Sequence, residues 1–188
     1  MVHTRQVGDQ TLTFIVSGKL WRNSLIMQDK ETNSLWSHIT GDCMEGELKG
    51  TELSQIPSVQ TTWADWQTAH PETRVLKKSE EITSSRYEGY FNDPEKTGLF
   101  RTLWLQDRLP GKDLIHGLVL GAHQVAVTDA ALVVGKPLET DLGDVKITVW
   151  RDADGGVRAK TKDGADLLVR AAFWFAWSSF YPNTAVID

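Results

Sequence analysis

Apolar and polar positions along this chain alternate with a strand period over most of its length, broken twice by helical spacing. Residues 11–17 have the β-branched and aromatic content of a strand, and Gly8 and Asp9 mark a hairpin turn from a strand over 3–7. Residues 24–29 and 34–38 flank 30–33, a short hairpin loop. Gly41, Gly46 and Gly50 punctuate turns and short strands, and 53–56 reads as one more strand, stopped by Pro57. The second half returns to this period. Residues 114–120 and 123–127 form a hairpin around Gly121 and Ala122, while 144–152 alternates as a half-buried strand and turns at 154–156 into 157–160.

The two helical segments share one template. TWADWQTAHPETRVL (62–76) and FWFAWSSFYPNTAVI (173–187) both read Trp, two residues, Trp, three residues, His or Tyr, then Pro-x-Thr-x-Val and an aliphatic residue. In the first, Thr62 is placed to accept from a free backbone N–H and Asp65 to reach back, as in a capping box. Trp63, Trp66 and His70 fall on one helical face, Pro71 stops the helix, and 71–76 leads out into a strand. Asp65, Gln67 and Thr68 give that helix a polar outer face, whereas the second is apolar nearly all round and lacks a good cap. A helix of the second kind is buried, here between two lobes. Gly-x-acid-Leu precedes both segments, at 50–53 and 164–167.

These patterns predict an α+β fold, predominantly antiparallel β, built from two diverged copies of a β-rich unit that each end in a short Trp-containing helix. The copies span about 1–78 and 110–188 and form one compact unit over 1–188. The connection 79–109 reads as ordered, because Tyr87, Tyr90, Phe91 and Trp104 are aromatic residues that a flexible linker would lack.

Composition narrows the partners. With 188 residues, 40% hydrophobic and 24% charged, the chain has the make-up of a soluble globular protein with a sizeable core. A net charge of −5 with scattered lysines and arginines argues against nucleic acid and against a polybasic membrane anchor. The longest apolar-rich run, 171–181, is too short to span a bilayer. The single cysteine, Cys43, excludes an intrachain disulfide and leaves the compartment open. Partners are otherwise unknown, and self-association into a homo-oligomer stays open.

Chemistry is sparse. The chain has no nucleophile elbow, paired-histidine zinc helix or dinucleotide fingerprint. The acidic run at 152–156 looks like a calcium loop, but Val157 stands where such a loop needs glycine, and Arg158 and Lys160 crowd it; a tight turn is the better reading. His38, Cys43 and Met44, with Met27 on the adjacent strand, are the one soft-ligand cluster, suited to copper or to the start of a zinc site. Against this stands the ordinary role of a lone cysteine as a small buried hydrophobe. The eight tryptophans would serve either core filling or the stacking of a flat ligand. Asn23, Asp29, Glu31, Trp36 and His38 concentrate polar and aromatic groups around one hairpin and form the candidate ligand site. Turn chemistry and core filling are the competing explanation for them.

The run LTFIVSGKLWRNSLIMQDKETNSLWSHITG, both Trp segments, RYEGYFNDP and GLVLGAHQVAV together resemble signatures of the family called domain of unknown function 3179. The resemblance covers nearly the whole chain and is most specific over 29–37. It implies a β-rich protein, usually bacterial or archaeal, often exported or lipid-anchored, with no established activity. It also implies a Cys-x-x-Cys segment upstream of the strand matched here by 2–7, which this chain does not contain, and a Gln where His38 stands. The reading is therefore a non-catalytic extracytoplasmic binding or structural module without a cofactor. A copper-binding or thiol-redox protein is the alternative.

Overall fold

The computed structural model of the protein describes residues 1–76, 87–98 and 106–188. It is α+β and predominantly antiparallel β. In the first half, β1 (Val2–His3) pairs with β8 (Gln55–Ile56), and β2 (Gln6–Val7) with β3 (Gln10–Thr11). Between them runs an antiparallel meander of β4 (Phe14–Trp21), β5 (Ser24–Asp29), β6 (Leu35–Ser37) and β7 (Cys43–Glu45). Arg22 and Asn23, at φ 48° and 63°, make the tight β4–β5 turn with the left-handed backbone that suits a two-residue hairpin. One face of the meander buries Trp36, Cys43, Leu12 and Leu53, with Val7, Phe14, Met27 and Leu48 packed around them.

Helix α1 (Trp63–Ala69) and the short α2 (Glu88–Phe91) lead to the second half. There β9 (Leu114–Leu120) and β10 (His123–Thr128) form a hairpin flanked by β15 (Arg170–Phe173) and β16 (Ala185–Ile187), in the order β15-β9-β10-β16. Among the described strands only β16 runs parallel to its neighbour. A second antiparallel sheet holds β11 (Leu138–Leu142), β12 (Val145–Arg151), β13 (Val157–Thr161) and β14 (Asp166–Leu167).

Alternation along β9 and β10 gives this hairpin two buried faces. Leu118, Val125 and Val127 pack against Leu142, Ile147, Val149 and Val157 of the second sheet. On the opposite face Ile115 and Ala126 meet Trp174 and Trp177 of α3 (Trp174–Phe180). Gly117 is the register partner of Ala126 and lies under the Trp177 ring, where an added Cβ would come within 2.3 Å of ring carbon.

Burial of α3 agrees with its all-round apolar pattern: Trp174, Phe175, Trp177, Ser178 and Phe180 are buried. Its missing side-chain cap is supplied by other backbone. Trp174 N donates to Asp113 O at 2.9 Å and Phe175 N to Gly111 O at 2.8 Å, satisfying two of the free N–H groups of its first turn. The two halves meet at the far end of α3. Trp21 packs edge-on against Phe180 at 5.1 Å, and Asn23 Nδ2 donates to Ser179 Oγ at 2.9 Å.

Two expectations need correction or qualification. The strand expected after the first Trp helix is not present over the described residues 71–76: 74–76 pairs with nothing among the described residues, and Val75 and Leu76 are exposed. The expected ordered connection 79–109 lies partly outside the described residues, Trp104 included; within it, the Lys112-facing Tyr90 sits on α2. The strands β11 and β15 had no distinct signal, the first being polar (LETDL) and the second only four residues long.

Replacing Gly117 with Ala is expected to destabilise the protein by at least about 1–3 kcal/mol, the usual scale for overpacking, because strand backbone and a buried indole must separate. Gly89→Ala, in α2 with open space around it, should leave the urea midpoint unchanged or raise it slightly. Equal midpoints for the two variants would contradict this packing.

Candidate functional site

The residues chosen from sequence lie close together in the chain; Asp29 and Trp36 bond each other, while Asn23, Glu31 and His38 engage other partners. Asp29 is fully buried and accepts from Trp36 Nε1 at 2.8 Å, Thr32 N at 2.6 Å and Thr32 Oγ1 at 2.9 Å. Burial pushes its carboxyl up, but these donors outweigh it and hold the group below the usual carboxylate value. Trp36 is also fully buried, so Asp29, Thr32 and Trp36 form a closed lock on the β5–β6 hairpin. Glu31 Oε2 accepts from Thr13 N at 2.8 Å, and Asn23 holds the tight turn and reaches Ser179. His38 stands apart: its carbonyl accepts from His3 Nε2 at 3.0 Å, and burial, the nearby Met1 ammonium and His3 lower its imidazole pKa.

The soft-ligand set is not drawn into one cluster. Cα registration places Met27 and Cys43 on either side of Trp36, one strand away in each direction. That separates their backbones by about 10 Å, with an indole between them. Cys43 is buried in the Trp36 core, its thiol directed at Glu45 O at 3.6 Å, and burial raises its pKa. Met44 lies at the β6–β7 register shift and does not join that core. Among the described residues no group of three or more His, Cys, Asp or Glu side chains gathers as a metal site would.

A His–Asp pair that local motifs did not reveal lies on the second half. His116 Nε2 is 2.7 Å from Asp129 Oδ1, which also receives Arg151 Nη2 at 2.5 Å. Arg151 further donates to Leu132 O and Gly155 O, tying the two sheets together. Burial lowers the His116 pKa against the pull of Asp129 and favours the neutral imidazole. Burial acts upward on Asp129, but hydrogen bonds from His116 and Arg151 take it below its usual value. The three residues come from 116, 129 and 151, and no spacing announces them.

The first Trp segment is the remaining candidate, and it can be compared with the second. The residues before the helices, Thr62 and Phe173, have φ/ψ of −75°/155° and −72°/146°. The residues after them, His70 and Tyr181, have −131°/68° and −124°/67°. Trp66 stacks on His70 at 4.1 Å and 38°, and Trp177 on Tyr181 at 4.3 Å and 39°. Thr73 N donates to His70 O at 3.0 Å, as Thr184 N does to Tyr181 O at 3.1 Å. The two devices are locally the same structure.

Their surroundings differ. Trp174 and Trp177 are fully buried, whereas α1 buries none of its residues and Trp63 is 49% exposed. The start of α1 is anchored. Thr62 Oγ1 accepts from Asp65 N at 3.1 Å, and Thr61 Oγ1 donates to the Asp154 carbonyl in the β12–β13 turn. Arg158 braces that turn by bonding Asp152 and Asp154, and holds Asp154 down to about 2. At its other end α1 borders a depression of about 450 Å³ lined by Ala69, His70, Pro71, Glu72 and Thr73. This device carries an exposed tryptophan, an exposed apolar tail and an open hollow. It holds no nucleophile paired with a base.

A family model described as "Protein of unknown function (DUF3179)" matches residues 1–170. No curated protein and no solved structure matches the chain.

Two outcomes test the internal locks. Trp36→Phe removes a donor from buried, ionised Asp29 and should cost about 1–3 kcal/mol in urea unfolding. Stability should also fall as pH drops below about 6.5. His116 has a lowered folded pKa, so its contribution is complete above the unfolded value. That contribution is lost as pH falls toward the folded value, because the unfolded chain takes up the proton first. Urea midpoints at pH 7.5 and 5.5 measure the slope, which His116→Gln should flatten; the part due to His38 would remain.

Proposed function

The chain belongs to that family of proteins of unknown function, and we propose that it is a non-catalytic binding or structural module whose contact surface is the first Trp device. The observation that carries this reading is the contrast between two locally identical devices, one sealed in the core and the other turned outward. A tryptophan is costly to expose. Trp63 at 49% exposure, with Val75 and Leu76 beside the helix end at 67% and 89%, concentrates apolar surface on one short stretch. The polar clusters that resemble chemistry support the same reading, because Asp29, His116, Asp129 and Arg151 are taken up by internal bonds. The copper or thiol-redox alternative has no comparable support, since Cys43 is sealed against Trp36.

We further propose that the two halves are diverged copies of one unit, the matched dihedrals and ring stacking of the two devices being the support. Divergence then took the form of burial in one copy and exposure in the other.

Paired truncations test the contact-surface reading. Trp177→Ala should cost about 3–5 kcal/mol, the range for a buried aromatic. Trp66→Ala removes a half-buried ring, its stack on His70 and its bond to Thr73, and should cost less, about 1–2 kcal/mol. A loss near that of Trp177→Ala would make α1 part of the core and sink the proposal.

A further inference from the structure

We propose that the first Trp device seats a β-hairpin of another polypeptide, which lays a pair of small residues under Trp66, takes residues 74–76 as a parallel edge strand and supplies an arginine to the 71–73 turn. This rests on the contact-surface reading above and names the occupant.

The argument is internal to the chain, because the second device shows how such a device is completed. Trp177 lies on Gly117, whose register partner Ala126 is fully buried beside it. Any side chain at that position would hold the ring off the strand, so the seat demands a small residue. The tail then joins the hairpin: Ala185, Val186 and Ile187 register with Val125, Ala126 and Val127 in parallel. An arginine closes the turn. The Arg108 guanidinium stands 5.1 Å from the Trp174 ring centre, and it donates through Nη1 to Thr184 O at 2.7 Å and through Nη2 to Pro182 O at 2.9 Å.

Every receiving element recurs in the first device. Trp66 matches Trp177, Trp63 matches Trp174, and 71–76 matches 182–187 in sequence, with the same helix ends and the same ring stack. Pro71 and Thr73, the counterparts of the two residues whose carbonyls Arg108 binds, border the depression of about 450 Å³. Glu72 on its rim adds a negative charge suited to a guanidinium. Residues 74–76 are in no helix and pair with no strand among the described residues, so their backbone groups are open to strand addition.

A second copy of this chain is a poor occupant. Both edges of its β9–β10 hairpin are already covered by β15 and β16, and the face with Gly117 by α3. Its β4–β5 and β11–β12 hairpins have an outer edge unpaired among the described residues, but their register pairs, such as Val16 with Met27, Leu20 with Leu25 and Thr140 with Ile147, set no two small residues opposite each other. The hairpin must therefore come from another polypeptide, one whose own strands have a free edge.

The test uses a synthetic peptide with the sequence of residues 106–129, its hairpin held by an added cross-strand disulfide, mixed with the full chain. Amide hydrogen exchange is expected to slow at least tenfold at 74–76, and Trp66→Ala in the full chain should abolish the effect. Peptides carrying Arg108→Ala or Gly117→Leu should bind at least tenfold more weakly. No slowing at millimolar peptide, with the peptide shown by NMR to be a hairpin, overturns the proposal. So does slowing confined to 170–187, which would mean exchange with the native hairpin, and so does a dimer of the chain alone that Trp66→Ala dissolves. If the peptide fails while the Trp66→Ala variant stays folded, only the hairpin is lost and the contact-surface reading stands. A Trp66→Ala variant that unfolds removes both.

Discussion

The second half of the molecule is organised around one contact, the indole of Trp177 resting on the Cα of Gly117. It lets a helix approach a strand to the limit of van der Waals contact, and it is available only where one residue is large and flat and the other has no side chain. From it follow the burial of α3, the capping of that helix by the backbone of 111–113, and the return of the chain into β16 beside β10. The other face of the same hairpin builds the two-sheet core. Because α3 also carries Phe180 and Ser179 to the β4–β5 turn, the seat of one indole helps fix how the two halves meet.

The first device forms without that seat, which separates local from tertiary causes. Helices of seven residues are not stable alone in water. Yet α1 has the same ends and ring stack as α3. Its own means are a Thr62 cap, the Trp66–His70 stack and a bond from Trp66 Nε1 to Thr73 Oγ1 at 3.0 Å. To these is added the tie of Thr61 to the β12–β13 turn. The template thus encodes a shape, while the sheet encodes whether that shape is buried.

This division explains what could be read from the residues. The hairpins, the Thr62 cap, the all-apolar α3 and the antiparallel β class depend on neighbours within a few positions, and sequence periodicity reports them. The parallel pairing of β16 with β10 joins residues 125–127 to 185–187, and the lock of His116, Asp129 and Arg151 gathers three separate segments; neither leaves a local trace. The candidate ligand site was legible as a concentration of polar and aromatic residues, but composition cannot separate groups that face outward from groups that satisfy one another. Asp29 and Trp36 belong to the second kind, each being the other's partner in the core. The exposure of Trp63 had a faint signal in the polar outer face of α1, since a helix meant for the core would be apolar there too, as α3 is.

An exposed apolar device that is already folded has a consequence for binding. Association normally loses free energy in ordering side chains and loops at the contact. Here Trp66 is held between His70 and Thr73, and the start of α1 is pinned by Thr61 and Thr62. Only the tail 74–76 lacks a pairing partner among the described residues, and strand addition would supply it with backbone hydrogen bonds. In the proposed complex the rigid part would supply recognition through its rings, and the tail a sequence-tolerant edge. Such a surface would discriminate by shape under Trp66 more than by charge, because the seat under Trp177 that it copies admits no side chain.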